Sequence, residues 1–277
     1  MTAAEAMLAA MARLRAAGVP DPARDARILL AHAAQVDAAR VTLIAPEDIA
    51  DDIAERYDQL VALRAVRVPV SQLIGAREFY GRRFDISQEV LDPRPETESL
   101  IEAALSSPFQ TVLDLGVGSG CILVTLLAER EDATGVGVDI SAAACLQASA
   151  NAVLHSVADR ALILQSDWFE AVEGRFDLIV SNPPYLARTE MKDMQPELRD
   201  YEPRLALTDE ADGLSAYRAI AAEAQSYLSA QGRVMVEIGW QQARAVQEIF
   251  SAQGWGDIAI LPDLGGRDRV VVASKPG

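Results

Sequence analysis

The stretch with the most chemistry in it is Ser181-Asn182-Pro183-Pro184-Tyr185, directly behind the apolar run Phe176-Asp177-Leu178-Ile179-Val180. A β-branched and aromatic run ended by Asn-Pro-Pro reads as a buried strand that stops abruptly. The prolines fix φ and donate no backbone N–H, so the loop is stiff and its carbonyls are free to accept. Asn182 adds one acceptor and two donors, and Tyr185 and Pro184 add apolar faces. Such a set suits a planar NH2 group held by acceptors with its nitrogen aimed outward. Asn-Pro alone is an ordinary turn. The tetrapeptide behind an apolar strand, taken with a glycine loop upstream, favours the chemical reading.

That loop is Asp114-Leu115-Gly116-Val117-Gly118-Ser119-Gly120, after the apolar run 111–115 and at the start of a helical pattern. Glycines let a backbone approach a ligand closely and turn tightly into a helix. A dinucleotide loop would read G-x-G-x-x-G; here glycines recur at every second position and Cys121 stands where the last would be. Asp139 follows the next strand, where an acid suits a ribose diol. Asp114, Gly116, Val117, Gly118, Ser119, Gly120 and Asp139 are therefore candidates for a nucleoside-containing cofactor. Asp167, after the third strand, could accept from an adenine amino group, and Trp168 could lie on the ring. An aromatic packed beneath a loop is the equal alternative for Trp168.

These residues need one rim to stand on, and the pattern supplies it. Apolar runs at 111–115, 134–138, 161–165, 176–180, 232–237, 257–261 and 268–273 alternate with helical stretches at 120–130, 141–154, 213–229 and 241–253. The expected fold is α/β, a doubly wound, mostly parallel seven-stranded sheet, with its last two strands antiparallel at one edge. Ligands of such sheets sit outside the carboxyl ends of the strands. Residues 1–70 read as a small all-α domain. Met7, Leu8, Met11 and Leu14 mark one helix, Asp21 and Pro22 open a second, and Pro46 opens a third with Ile49, Ile53, Tyr57 and Leu60. Scaffolding and partner binding are both open for it. Residues 71–95 read as a hairpin linker turning at Gly81, and 96–277 as the catalytic domain. Arg94, between Pro93 and Pro95, is more than a helix start requires and is a substrate-binding candidate.

Half of the 277 residues are hydrophobic, and 41 Asp and Glu against 25 Lys and Arg leave a net charge of −16. The excess disfavours nucleic-acid binding, since phosphate neutralisation needs basic surface. Cys121 and Cys145 are expected as buried free thiols, with no metal site and no disulfide. No leader pattern and no membrane-length apolar run is found, so a cytoplasmic protein is expected.

The pattern Asp-Leu-Gly-x-Gly-x-Gly, an acid after the second strand and Asn-Pro-Pro-Tyr after the fourth resembles S-adenosylmethionine-dependent amino methyltransferases. Within that class the chain resembles the bacterial release-factor glutamine methyltransferases, the HemK/PrmC family. The likeness runs through Asp25–Leu30, Arg77-Glu78-Phe79, Pro93–Glu98, Ser166–Phe169, Tyr201-Glu202-Pro203 and Glu237–Gln241, with Asp92 standing where an aliphatic residue is expected. It implies S-adenosylmethionine as methyl donor, S-adenosylhomocysteine as product, no metal, and class 1 release factors as partners through the glutamine of their Gly-Gly-Gln motif. It further implies catalytic roles for Asn182, Pro183 and Tyr185, substrate contacts from Pro184 and Arg94, and a substrate-recognition role for residues 1–70. Two alternatives differ in class: an adenine-N6 or cytosine-N4 methyltransferase of DNA or RNA, which would need a basic groove, and a non-catalytic nucleoside-binding module.

Overall fold

The structure, a computed structural model, describes residues 1–276, which form two compact units. One comprises Met1–Ala76 together with a later segment, Gln195–Tyr201. Its helices are α1 (Ala3–Ala16), α2 (Pro22–Ala34), α3 (Val41–Ile44), α4 (Asp51–Ala65) and α5 (Val70–Ile74). Thr2 and Glu5 cap α1 reciprocally, and Asp21 caps α2 with Pro22 in its first turn. Ala3, Ala6, Ala10 and Leu14 face Leu29, Leu30, Tyr57 and Val61. The inward stripe of α1 is thus mostly alanine, and Leu8, expected inside, is exposed. Pro46 does not open α4. It lies in a turn beside Glu47 and Asp48, which pair with the start of α1 through the Ala3 N–H on the Glu47 carbonyl and the Thr2–Asp48 bridge. Arg64 Nε donates to Asp25 at 2.7 Å and Arg64 Nη2 to Glu197 at 2.8 Å, while Arg67 grips both Glu197 oxygens. The segment carrying Glu197 has no apolar periodicity long enough to be foreseen as a helix.

The other unit holds the rest of the described chain. A hairpin of β1 (Ala76–Phe79) and β2 (Arg82–Asp85) turns at Gly81, whose φ is 67°. A 3-10 turn, Pro95–Thr97, leads into α6 (Glu98–Leu105), followed by β3 (Thr111–Leu115), α7 (Cys121–Glu129), β4 (Thr134–Asp139), α8 (Ala142–Leu154), β5 (Ala161–Gln165) and β6 (Phe176–Ser181). After α9 (Pro196–Tyr201) come α10 (Ser215–Tyr227), β7 (Leu228–Glu237), α11 (Ala243–Ala252), β8 (Gly256–Pro262) and β9 (Asp268–Ser274). The sheet order is β5-β4-β3-β6-β7-β9-β8, parallel from β5 to β7, with β9 antiparallel to both neighbours. Helices α6, α7 and α8 bury Leu100, Leu123, Leu126 and Ala148 on one face, and α10 and α11 bury Tyr217, Ile220, Val246 and Phe250 on the other. This is the doubly wound sheet that the alternating pattern requires.

Register decides what meets on the rim. Leu115 pairs with Val138 and Ser181, Asp139 with Gln165, and Ser181 with Val236. The next residues therefore stand in a row, Asp139, Gly116, Asn182 and Glu237, and Asp167 lies two residues beyond Gln165. Strand order reverses between β3 and β6, so the glycine loop and the Asn-Pro-Pro-Tyr loop flank the switch point, where such sheets bind ligands.

Candidate active site

A cavity of about 740 Å³ opens at this switch point. That is ample for a nucleoside-sized ligand, pockets for small molecules being roughly 300–1,000 Å³. Its wall includes Gly116, Val117, Gly118, Ser119, Asp139, Asp167, Trp168, Asn182, Pro184 and Arg94. Gly116 and Gly118 have φ of 75° and 52°, and a Cβ on Gly116 would meet no protein atom within 4 Å, so the floor there is open to a ligand. The Gly118 N–H and Ser141 N–H, each 2.9 Å from the Asp139 carboxylate, aim it with lone pairs to spare for a diol. Trp168 takes φ of 45°, a left-handed conformation worth about 1–2 kcal/mol of strain for a side-chain-bearing residue. The Ser166 hydroxyl, donating to the Trp168 carbonyl at 3.0 Å, helps to hold it. The pieces present, an open glycine floor, an oriented carboxylate, a second carboxylate and an indole, fit an adenosine-bearing group.

Four of the sequence candidates lie off this wall. Asp114 is fully buried beneath the loop, accepts from the Leu123 N–H at 3.2 Å, and is pushed up to about 8 by burial, so it serves the turn into α7. Gly120 sits against α8, where a Cβ would lie 3.1 Å from the Ala148 Cα, so its bareness serves packing. Pro183 is buried, and Tyr185 is half-buried with its phenol pushed up to about 12 by burial. Arg94 reaches the wall with its charge already engaged, its Nη2 donating to both oxygens of Glu202. Burial, with Asp92 adding to it, pushes Glu202 up to about 7 against the pull of Arg94. Asp92 is itself buried in the wall. The cysteines are free, as expected, but half-buried.

Several residues that the sequence did not single out hold the Asn182 loop. Gln242 Nε2 donates to the Tyr185 carbonyl at 2.8 Å and to that of Gly213 at 3.3 Å, while its Oε1 accepts from the Gly239 N–H. Gly213 passes so close that a Cβ there would lie 2.3 Å from the Tyr185 oxygen. Asp209, pulled down to about 2 by hydrogen bonds from Ser215, Ala211 and Gly213 that outweigh its burial, pins that turn. On the β3 side, the Ser181 hydroxyl donates to the Leu115 carbonyl at 2.6 Å. Asn182 Nδ2 donates to the Thr97 hydroxyl at 3.2 Å, which leaves Oδ1 as the amide atom free to accept. Glu237 follows the apolar run Val234-Met235-Val236 at the end of β7, and a carboxylate at that position was the available signal; burial pushes it up to about 7. Among the described residues no group of three His, Cys, Asp or Glu could hold a metal ion, and no helix is long and apolar enough to cross a membrane.

Comparison with known proteins agrees with this geometry. Residues 86–197 match the family described as methyltransferase small domain, and residues 5–75 match the PrmC N-terminal domain. The release factor glutamine methyltransferase of Cereibacter sphaeroides is 53% identical over 276 residues, covering 100% of this chain and 99% of that one. Its counterpart from Burkholderia pseudomallei is 42% identical over 93% of this chain and 94% of its own. A methyltransferase structure from Pyrococcus furiosus shares the fold, with a TM-score of 0.55 at 15% identity over 72% of this chain and 91% of that one.

Proposed function

We infer that this chain, which belongs to the release factor glutamine methyltransferases, transfers a methyl group from S-adenosylmethionine to the side-chain nitrogen of the glutamine in the Gly-Gly-Gln motif of class 1 release factors. The observation that carries this reading is the placing of Asn182, with Oδ1 free to accept, directly across the switch point from the Gly116–Gly118 floor. Bound S-adenosylmethionine supplies a sulfonium-activated methyl group and leaves as S-adenosylhomocysteine. Asp139 holds its ribose hydroxyls, Asp167 and Trp168 its adenine, and the loop Gly116–Ser119 its close approach.

A carboxamide nitrogen is a poor nucleophile because its lone pair is delocalised into the carbonyl. If Asn182 Oδ1 and the Pro183 carbonyl each accept one of its N–H bonds, electron density returns to nitrogen and the amide is aimed. Positioning of this kind supplies much of a barrier. Tyr185, neutral at any working pH, and Pro184 offer flat apolar contact to the amide plane. The donor already carries its activation as a positive sulfur, so no metal is invoked. Residues 1–70 serve to recognise the release factor, residues 71–95 link, and residues 96–277 carry the chemistry. A Gly-Gly-Gln loop has few side-chain handles, so remote contacts must provide selectivity. Such a substrate places the enzyme in the cytoplasm.

The test is incubation with labelled S-adenosylmethionine and, separately, whole release factor, duplex DNA and ribosomal RNA, read by mass spectrometry. One added methyl on the Gly-Gly-Gln glutamine is expected. Methylation of a nucleic acid with none on the release factor would overturn the reading.

A further inference from the structure

On the carboxyl rim, outside the cavity, one large aromatic side chain is left in water. Trp240 follows Glu237-Ile238-Gly239, is 54% exposed and does not line the cavity. The Arg267 guanidinium lies over its indole, 5.7 Å from the ring centroid. Among the described residues Arg267 joins no ion pair, in a chain with 41 acidic residues against 25 basic ones. The turn that carries Arg267, between β8 and β9, also carries Leu264, which is 91% exposed. Because β9 runs antiparallel to β7 with Val270 opposite Glu237, this turn stands on the same rim as the site. Single apolar residues on a surface are ordinary. Here a tryptophan, an unpaired arginine and a leucine stand on two adjoining segments.

The two segments are tied within themselves and to each other. Asp263 Oδ1 accepts from the Gly265 and Arg267 N–H groups at 2.8 and 3.0 Å, and the Asp263 carbonyl accepts from the Gly266 N–H at 2.9 Å. Arg269 Nη2 donates to Asp263 Oδ2 at 3.3 Å, and its Nη1 donates to the Ile238 carbonyl at 3.0 Å. The Ile238 N–H donates in return to the Arg269 carbonyl at 2.8 Å. This frame is continuous with the acceptor loop, because Gln242 joins the Gly239 N–H to the Tyr185 carbonyl. Side chains on a frame held this way lose little backbone freedom on binding. Trp and Arg are also the residues that most often carry binding energy at protein interfaces.

We propose that Trp240 and Arg267, with Leu264 on the same turn as Arg267, form a docking patch for the release factor surface next to its Gly-Gly-Gln loop. The indole and Leu264 take an apolar side chain of that surface, and Arg267 takes a carboxylate or a backbone carbonyl. The proposal rests on the reading of Asn182–Tyr185 as the acceptor-amide site, with which the patch is continuous. An unstacked base also fits an indole beside an arginine, but a net charge of −16 opposes a nucleic-acid partner.

The experiment is steady-state kinetics on full-length wild type, Trp240→Ala and Arg267→Ala, with whole release factor, a Gly-Gly-Gln tripeptide and ribosomal RNA as separate substrates. S-adenosylhomocysteine affinity is measured on each protein by calorimetry. Both substitutions truncate exposed side chains outside the cavity, so cofactor affinity should be kept. KM for whole release factor should rise about 10-fold or more in each variant, the scale of an interface hot spot. Turnover at saturation should stay within about twofold, the sign of binding lost equally from ground and transition states. On the tripeptide, which is too short to leave the cavity and reach Trp240, kcat/KM should change less than about threefold. An unchanged KM for release factor in either variant would overturn the patch and leave the acceptor reading in place. An equal loss on the tripeptide would trace the effect to the Gln242 link, and a matching loss of cofactor affinity to the fold; each would also overturn the patch. Wild type that methylates ribosomal RNA and not release factor, with Trp240→Ala slower on the RNA, would overturn both readings and assign the patch to nucleic acid.

Discussion

Gly213→Ala is a one-methyl perturbation aimed at the acceptor loop from behind. The new Cβ would sit 2.3 Å from the Tyr185 carbonyl oxygen, 3.0 Å from the Ala187 nitrogen and 3.1 Å from Gln242 Nε2. All but the last are backbone, so the Asn182–Tyr185 loop has to move by roughly 1 Å to reach ordinary contact. A displacement of that size at a reacting group costs about 10²-fold in rate. Two stability terms add to it. The φ of 77° at Gly213 penalises a side-chain-bearing residue by about 1–2 kcal/mol. Losing the Gln242–Tyr185 hydrogen bond removes about 0.5–1.5 kcal/mol more. Steady-state turnover on whole release factor, S-adenosylhomocysteine calorimetry and thermal melting separate the effects. kcat should fall about 10²-fold, while Tm drops by several degrees and product affinity changes little, since Gly213 does not line the cavity. A lowered Tm with normal kcat would show that the loop absorbs the methyl without moving Asn182, and would refute the reasoning.

Asp139→Ala should weaken S-adenosylmethionine at least tenfold, because charge-assisted hydrogen bonds are worth about 1.5–3 kcal/mol each; unchanged affinity by calorimetry would refute the ribose assignment. Asn182→Ala should lower kcat roughly 10²-fold with cofactor affinity nearly intact, checked by the same pair of assays. Glu197 feels burial raising it, but its hydrogen bonds from Arg67 and Arg64 win and hold its carboxyl below the usual range. Its folded pKa is depressed, so its stabilisation is full above the unfolded value of about 4.3 and fades as pH falls through the folded one. Tm of the wild type should therefore drop in that acid range, while Glu197→Gln, destabilised at pH 7 with Arg64 left short of a partner, should show a flatter profile. A short Gly-Gly-Gln peptide should be methylated far more slowly than whole release factor at equal concentration, since the remote contacts that orient the loop are absent; equal rates would remove the recognition role from residues 1–70.

Strand and helix alternation, the glycine loop and the Asn-Pro-Pro-Tyr strand end were all legible in the chain, because each is a local pattern tied to a local conformation. Periodicity places a strand, glycine permits a left-handed turn, and proline ends a run. Those signals, with the rule that ligands sit at carboxyl ends, suffice to gather Gly116, Asp139, Asp167 and Asn182 on one rim. The partners of those residues were not legible, since contacts between positions far apart in sequence leave no local trace. Thr97 meets Asn182 across 85 positions, Gln242 meets Tyr185 across 57, and Arg64 meets Glu197 across 133. Register alone decided that Val236 would pair with Ser181 and so bring Glu237 level with Asn182. Only packing showed that Gly120 is bare for Ala148 and not for a ligand, and that the charge of Arg94 is already taken by Glu202. A residue type states which bonds it can make; the tertiary fold selects, by distance and burial, which of them it does make.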